Sequence, residues 1–213
     1  MVNYPCYKLN IINLIMSYKA KLKTAFIGDT STGKTSIALR LVRNEFVNTD
    51  STIGASFFVL DADEIRYEIW DTAGGERFLA LTPMYFRSSS ILIMVYDLNE
   101  LSTVDRLQKY FDMIEKTMRC IPKIIVVGNK LDLITDKELN SVKETIPNKI
   151  RKMTKEPLEK FVYMSAKTGE GFDDFKKILL NIGETIERKL NKDSGTIFLH
   201  SDSLKSTDKT CKC

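Results

Sequence analysis

The chain has 213 residues, enough for one full domain with tails, and 43% of them are apolar, an ordinary share for a soluble core. Its 32 Lys and Arg stand against 28 Asp and Glu, a net charge of +4 with the two signs interleaved, so composition makes no case for nucleic-acid binding. No apolar run is long enough to span a bilayer, and four cysteines, two of them crowded at the C-terminus, make a poor disulfide framework.

Residues 1–18 read as an N-terminal extension, expected to be disordered. The stretch Leu9–Met16 is apolar, but Asn10 and Asn13 interrupt it and no small-residue cleavage site follows, which argues against a signal peptide. Met16 lies shortly before the first strand, so residues 1–15 are expected to be dispensable. Leu22–Ile27 predicts a strand and Ser36–Val42 a helix, with Ile37 and Leu41 at helical spacing. Between them, Gly28-Asp29-Thr30-Ser31-Thr32-Gly33-Lys34-Thr35 fits the pattern G-x-x-x-x-G-K-S/T, a phosphate-binding loop. Strand, glycine-rich turn and helix are the context that pattern needs, and they count against a chance match in an ordinary turn. Consecutive backbone N–H groups and the positive helix end then favour a polyanion. Lys34 adds charge for the outer phosphates, and the Thr35 hydroxyl suits Mg²⁺, a hard cation that prefers oxygen.

Further on, Ser56–Leu60 and Ile65–Trp70 predict two strands around the turn Asp61–Glu64, a hairpin at an antiparallel sheet edge. Ile65, Tyr67 and Ile69 share one face. Ile91–Tyr96 and Ile124–Val127 are unbroken apolar runs, as parallel strands covered on both faces require. The helix between them carries the stripe Val104, Leu107, Phe111, Ile114 and Met118, with Ser102 and Asp105 resembling a capping box. Another helix is expected from Asp136 to Ile146, stopping at Pro147, with the basic run Lys149–Lys152 a solvated face. Phe161–Met164 predicts the last strand, and an amphipathic helix runs from Phe172 to Leu190. This alternation predicts an α/β domain over 19–190: a doubly wound, mostly parallel six-stranded sheet with one antiparallel edge strand, its ligands at the carboxyl ends of the strands.

Unusual polar residues fall at those strand ends: Asp71-Thr72-Ala73-Gly74, then Asn129-Lys130-Leu131-Asp132, then Ser165-Ala166-Lys167. One such group would be an ordinary loop; all of them, in order after a phosphate loop, form a constellation. With Ile53–Phe57, Trp70–Gly74, Glu76-Arg77-Phe78, Tyr85-Phe86-Arg87 and Tyr96-Asp97-Leu98, the chain resembles a small GTPase of the Ras superfamily, most of all its Rab branch. The resemblance implies a P-loop NTPase fold that binds GTP or GDP with Mg²⁺. It implies phosphate contacts from Gly28, Thr30, Ser31, Thr32, Gly33, Lys34, Thr35 and Ser36, and base contacts from Asn129, Lys130, Asp132, Ser165, Ala166 and Lys167. Asp132 would accept two hydrogen bonds from guanine, a donor pair adenine lacks. Phe46 would lie beside the base, unless it is simply a core phenylalanine. Thr35 and Thr52 would ligate Mg²⁺ and Asp71 would reach it through water, while Thr52 and Gly74 bond the γ-phosphate. Loss of those contacts on hydrolysis is the switch.

At the catalytic level the resemblance implies roles for Lys34 and Thr52, but Gly75 stands where the family has a water-orienting glutamine. Thr30 also crowds the γ-phosphate where relatives carry glycine or serine. Both departures predict slow intrinsic hydrolysis; the alternative is a non-hydrolysing, constitutively GTP-bound module. An ATP-using P-loop enzyme is disfavoured by Asn129 and Asp132. The tail 191–213 is polar, expected to be disordered, and ends in Cys211-Lys212-Cys213. Terminal cysteines alone read as free thiols or a metal site, but beside a Rab-like domain they resemble a double prenylation signal. The resemblance therefore implies a monomer on the cytoplasmic face of an intracellular membrane, cycling with cytosol. Its implied partners are an exchange factor, an activating protein, a GDP-dissociation inhibitor and effectors.

Overall fold

The computed structural model describes residues 20–197. The expected extension over 1–18 and the lipidation candidates Cys211 and Cys213 lie outside the described residues.

Strand β1 (Ala20–Gly28) leads through the glycine loop into α1 (Lys34–Arg43). Then come β2 (Ala55–Ala62), β3 (Ile65–Thr72), a 3₁₀ turn at Glu76–Phe78 and the short α2 (Thr82–Phe86). Next are β4 (Ile91–Asp97), α3 (Ser102–Asp105), α4 (Gln108–Thr117) and β5 (Lys123–Asn129). The chain continues through a 3₁₀ turn at Leu131–Leu133 to α5 (Asp136–Arg151), β6 (Leu158–Tyr163) and α6 (Phe172–Ile197). The six strands form one sheet in the order β2-β3-β1-β4-β5-β6. Only β2 runs antiparallel, paired with β3; the other pairs are parallel. This is the expected mostly parallel sheet with one reversed edge.

Side chains alternate across the central strands, and both faces are covered. Leu22 and Phe26 of β1 point into one core with Ile37, Ala38 and Leu41 of α1 and Phe172, Phe175 and Leu179 of α6. Ala25 and Ile27, one residue out of phase, point into the other with Leu107, Tyr110 and Phe111, and with Val142, Ile146 and Ile150 of α5. Every residue of β4 is buried, which explains its unbroken apolar run.

Several sequence expectations shift. The hairpin strands extend into the expected turn, leaving only Asp63 and Glu64 (φ 50° and 37°) between the paired Ala62 and Ile65. Ser102 does not cap a helix: it begins α3, its hydroxyl donates to Glu100 Oε1 at 2.8 Å, and the expected single helix is divided into α3 and α4. The capping box is instead at α5, where Glu138 N donates to Thr135 Oγ1 and Thr135 N donates to Glu138 Oε2 at 2.7 Å. That helix also runs through Pro147 to Arg151. An interior proline costs about 3 kcal/mol, but burying two isoleucine side chains returns about 3–6 kcal/mol. Ile146 and Ile150, both buried, hold the helix past the proline. The flanking Lys149, Arg151 and Lys152 are exposed, as a solvated face should be. Helix α6 passes the expected boundary at Leu190 and continues to Ile197, the last described residue. Cys120 is half-buried, just before β5.

Candidate functional site

A cavity of about 550 Å³ opens at the carboxyl ends of the strands, and the three sequence-predicted loops meet in it. Its lining includes Thr30, Ser31, Gly33, Lys34, Thr35, Ser36, Phe46, Thr52, Gly74, Gly75, Asn129, Lys130, Asp132, Ala166 and Lys167. Thr32, Asp71 and Ser165 are buried and outside the lining, and Gly28 ends β1 at the start of the loop. Phe46 is 39% exposed, so the core-phenylalanine alternative falls.

On the phosphate side, Gly33 caps α1 with φ 89°, and no side chain spends the first-turn N–H groups. The helix starts without an acidic residue, so unpaired donors and the positive helix end face the cavity. A Cβ on Gly33 would meet Asn129 Nδ2 at 2.2 Å, so only glycine fits. Lys34 is 5% exposed, and its ammonium donates to the Asp29 carbonyl at 2.6 Å. Burial pulls its pKa down to about 8, against the opposing charges of Asp71 and Asp29.

Beside it, oxygens converge from three segments. Thr35 Oγ1 lies 2.9 Å from Thr52 Oγ1 and donates to Asp71 Oδ2 at 2.7 Å, while Thr52 Oγ1 donates to the same oxygen at 3.4 Å. Burial pushes the Asp71 carboxyl up, opposed by those hydroxyls and by Lys34. Asp71 Oδ1 is buried with no hydrogen-bond partner among the described residues. Two hydroxyls and a carboxylate with one orphaned buried oxygen are the hard donor set that Mg²⁺ takes, and the residues fit it.

The base side is cross-braced. Asn129 Nδ2 donates to the Thr32 carbonyl at 2.9 Å, and Asn129 Oδ1 accepts from Ala166 N at 3.0 Å. One side chain thus ties the phosphate loop to the last loop. The Ala166 N–H, expected to face a guanine carbonyl, is engaged by Asn129, so a base would have to share it. Ser165, fully buried, donates its hydroxyl to Asp132 Oδ1 at 2.5 Å and accepts from Thr168 N at 3.0 Å. Asp132 keeps acceptor capacity on both oxygens for further donors. Lys130 sits at φ 67° with its ammonium 2.6 Å from Asp97 Oδ2, which fixes its stem along the rim.

The γ-phosphate side is open by contrast. Residues 45–54 carry no regular structure, and no residue of the turn Glu76–Phe78 is buried. Gly74 is the exception: a Cβ there would meet Asp29 O at 2.5 Å, so its backbone lies directly on the phosphate loop. Gly75 has ordinary extended backbone, and a Cβ would meet only Phe78 at 3.8 Å.

Sequence reasoning missed some site residues. Arg40, on α1, donates to the carbonyls of Ala166 (2.5 Å) and Lys167 (3.0 Å). Asp97 holds Lys130. Asp29, inside the loop motif, carries a buried carboxylate paired with Arg106 and Lys109. Nothing in the sequence marks these partners, because each lies far along the chain from the group it holds.

A strand, a glycine loop and a helix without a side-chain cap, aimed at one cavity, define a P-loop nucleotide-binding domain. A family model of the Ras family matches residues 23–186, and the chain belongs to that family. It is 45% identical over 117 residues to a putative ras-related protein Rab-5B of Dictyostelium discoideum, covering 52% of this chain and 54% of that one. To the Ras-related protein Rab-12 of Mus musculus it is 40% identical over 125 residues, covering 56% and 51%. These matches span about half the length of those relatives. The GTP-binding protein YPT53 of Saccharomyces cerevisiae is 29% identical over 212 residues, covering 90% of this chain and 94% of that protein. The chain is a Rab-like member of the Ras superfamily with the P-loop GTPase fold.

Proposed function

We propose that the protein is a membrane-anchored, Rab-like GTP-binding switch that regulates vesicle traffic and hydrolyses GTP slowly on its own. The observation that carries the reading is Asn129, which bridges the Thr32 carbonyl and the Ala166 N–H beside Asp132. That brace joins a phosphate loop to a carboxylate suited to the ring N–H and amine of guanine. Adenine would leave the carboxylate unpaired, a mismatch that discriminates strongly.

In the reaction, the loop N–H groups and Lys34 hold the phosphates, while Phe46, Lys130 and Lys167 flank the base. Thr35, Thr52 and Asp71 would hold Mg²⁺, which when bound neutralises charge on the outer phosphates. The Thr52 and Gly74 N–H groups bond the γ-phosphate and release it when it leaves, so the segments around them relax. Gly75 has no side chain to orient the attacking water, and the adjacent Glu76 carboxylate repels the phosphates. Hydrolysis is therefore slow, and an activating protein must supply the missing group. Exchange factor, GDP-dissociation inhibitor and effectors follow from the same reading, and Cys211 and Cys213 carry the prenyl groups. Two such chains give stable attachment where one is marginal.

Fluorescent GDP and GTP titrations in magnesium buffer, with ATP as competitor, test the core of this. Tight guanine-nucleotide binding resistant to ATP is expected; binding of ATP and GTP alike would overturn it. A tagged protein with Cys211→Ser and Cys213→Ser should leave membranes for cytosol, and an unchanged distribution would refute the lipid anchor.

A further inference from the structure

The outer side of the phosphate loop is gripped by one stretch of the α3–α4 segment that has no part in the nucleotide reading above. Asp29, the second residue of the loop, is 4% exposed. Its carboxylate pairs with Arg106 through Oδ2 and lies 3.8 Å from Lys109 Nζ through Oδ1. On the next residue, the buried Tyr110 hydroxyl donates to the Gly28 carbonyl at 2.9 Å. The Asp29 carbonyl in turn accepts from Thr32 Oγ1 at 2.9 Å and Lys34 Nζ at 2.6 Å, and Gly74 rests against it. Asp29 thus touches the outer helix with its side chain and the phosphate-binding groups with its backbone.

We propose that Arg106 is a positioning residue for nucleotide retention, acting through Asp29. The guanidinium is half-exposed, and it also reaches Glu100 Oε1 at 3.4 Å and Ser102 Oγ at 3.2 Å. Its pairing does two things. It neutralises a buried carboxylate that would otherwise repel the phosphates from behind, and it fixes the loop at the residue on which Gly74 and Lys34 rest. The exposed face around Arg106 is therefore a lever on the nucleotide, reachable by a partner without touching the base or the phosphates. This rests on the nucleotide reading above, and the experiment separates the two.

The test is release of fluorescent GDP from the full chain in a double-mutant cycle. Arg106→Ala should speed release about tenfold, because the carboxylate loses its closest counter-charge, and Arg106→Lys should fall between. In an Asp29→Asn background the same Arg106→Ala change should alter release less than about twofold, since no carboxylate remains to neutralise. A merely structural role for the helix would slow or speed release equally in both backgrounds. A change below about threefold in the natural background, or one of equal size in both, overturns the proposal. If Arg106→Ala does not fold, the cycle is run with Arg106→Lys under the same criteria. Failure of the unaltered chain to bind guanine nucleotide would instead sink the nucleotide reading.

Discussion

The two ends of the cavity are built differently. The base end is a closed lattice: Asn129 spans from Thr32 to Ala166, Ser165 fixes Asp132, Arg40 holds the carbonyls of Ala166 and Lys167, and Asp97 holds Lys130. The γ-phosphate end has Thr52 on a segment without regular structure and Gly75 at the head of a turn with no buried residue. Few buried contacts mean a low local cost of rearrangement. On the proposed function, recognition belongs to the rigid end and signalling to the soft one. A single rigid cavity could bind GTP tightly but could not report which phosphate is present.

Substitutions at the two ends should fail in different currencies. The largest effect belongs to Asp132→Ala, which removes both acceptors proposed to meet guanine and orphans the Ser165 hydroxyl. At about 1.5–3 kcal/mol for each charged hydrogen bond, GDP affinity should fall by about a hundredfold or more. Calorimetry with GDP checks this, and a loss under about tenfold would mean the base does not meet this carboxylate. Next is Gly75→Gln at the soft end. The backbone there is ordinary and the space beside it open, so the side chain is accommodated. Single-turnover GTP hydrolysis should rise about tenfold as a water-orienting amide is restored, with GDP affinity unchanged. No gain in rate would show that Gly75 is not what limits turnover.

Much of this was legible beforehand because it is written locally. The phosphate loop is one contiguous run, alternation marked β3, and 3.6-residue spacing marked α1, α4 and α6, while the short α2 carried no such pattern. Unbroken apolar runs at β4 and β5 gave away strands buried on both faces. What escaped was non-local. Arg40 and Ala166 are 126 positions apart, and no pattern on α1 marks that reach. Asp29 is a variable position in the loop motif, so its pairing with Arg106 became visible only once α3 and α4 were folded against β1. Helix ends failed for a related reason. Pro147 is a strong local stop, but the burial of Ile150 in the far core outweighs it.

Arg40→Ala probes that non-local brace with a smaller expected effect. It removes two hydrogen bonds from a charged donor to the loop that frames the base, yet the carbonyls it leaves can turn to water. GDP affinity should drop about fivefold, roughly 1 kcal/mol, with hydrolysis of bound GTP unchanged. A change in the hydrolysis rate instead would mean the two ends of the cavity are mechanically linked, against the division drawn above.

The smallest effect on the nucleotide is expected from Thr135→Ala, and it tests why the base end is rigid. Thr135 forms the capping box of α5, and its loss should cost about 1 kcal/mol of stability, a fall of about 2–4 °C in Tm for a domain of this size. Asp132 lies only just ahead of that cap, so fraying of α5 could loosen it. The structure argues otherwise. Leu131 N donates to the Met164 carbonyl at 3.1 Å and Ser165 donates to Asp132, so the turn Leu131–Leu133 is tied to the β6 exit independently of the helix. GDP affinity should accordingly stay within about twofold while Tm falls. A parallel loss of affinity would place the stiffness of the base end in α5 rather than in the cross-loop bonds.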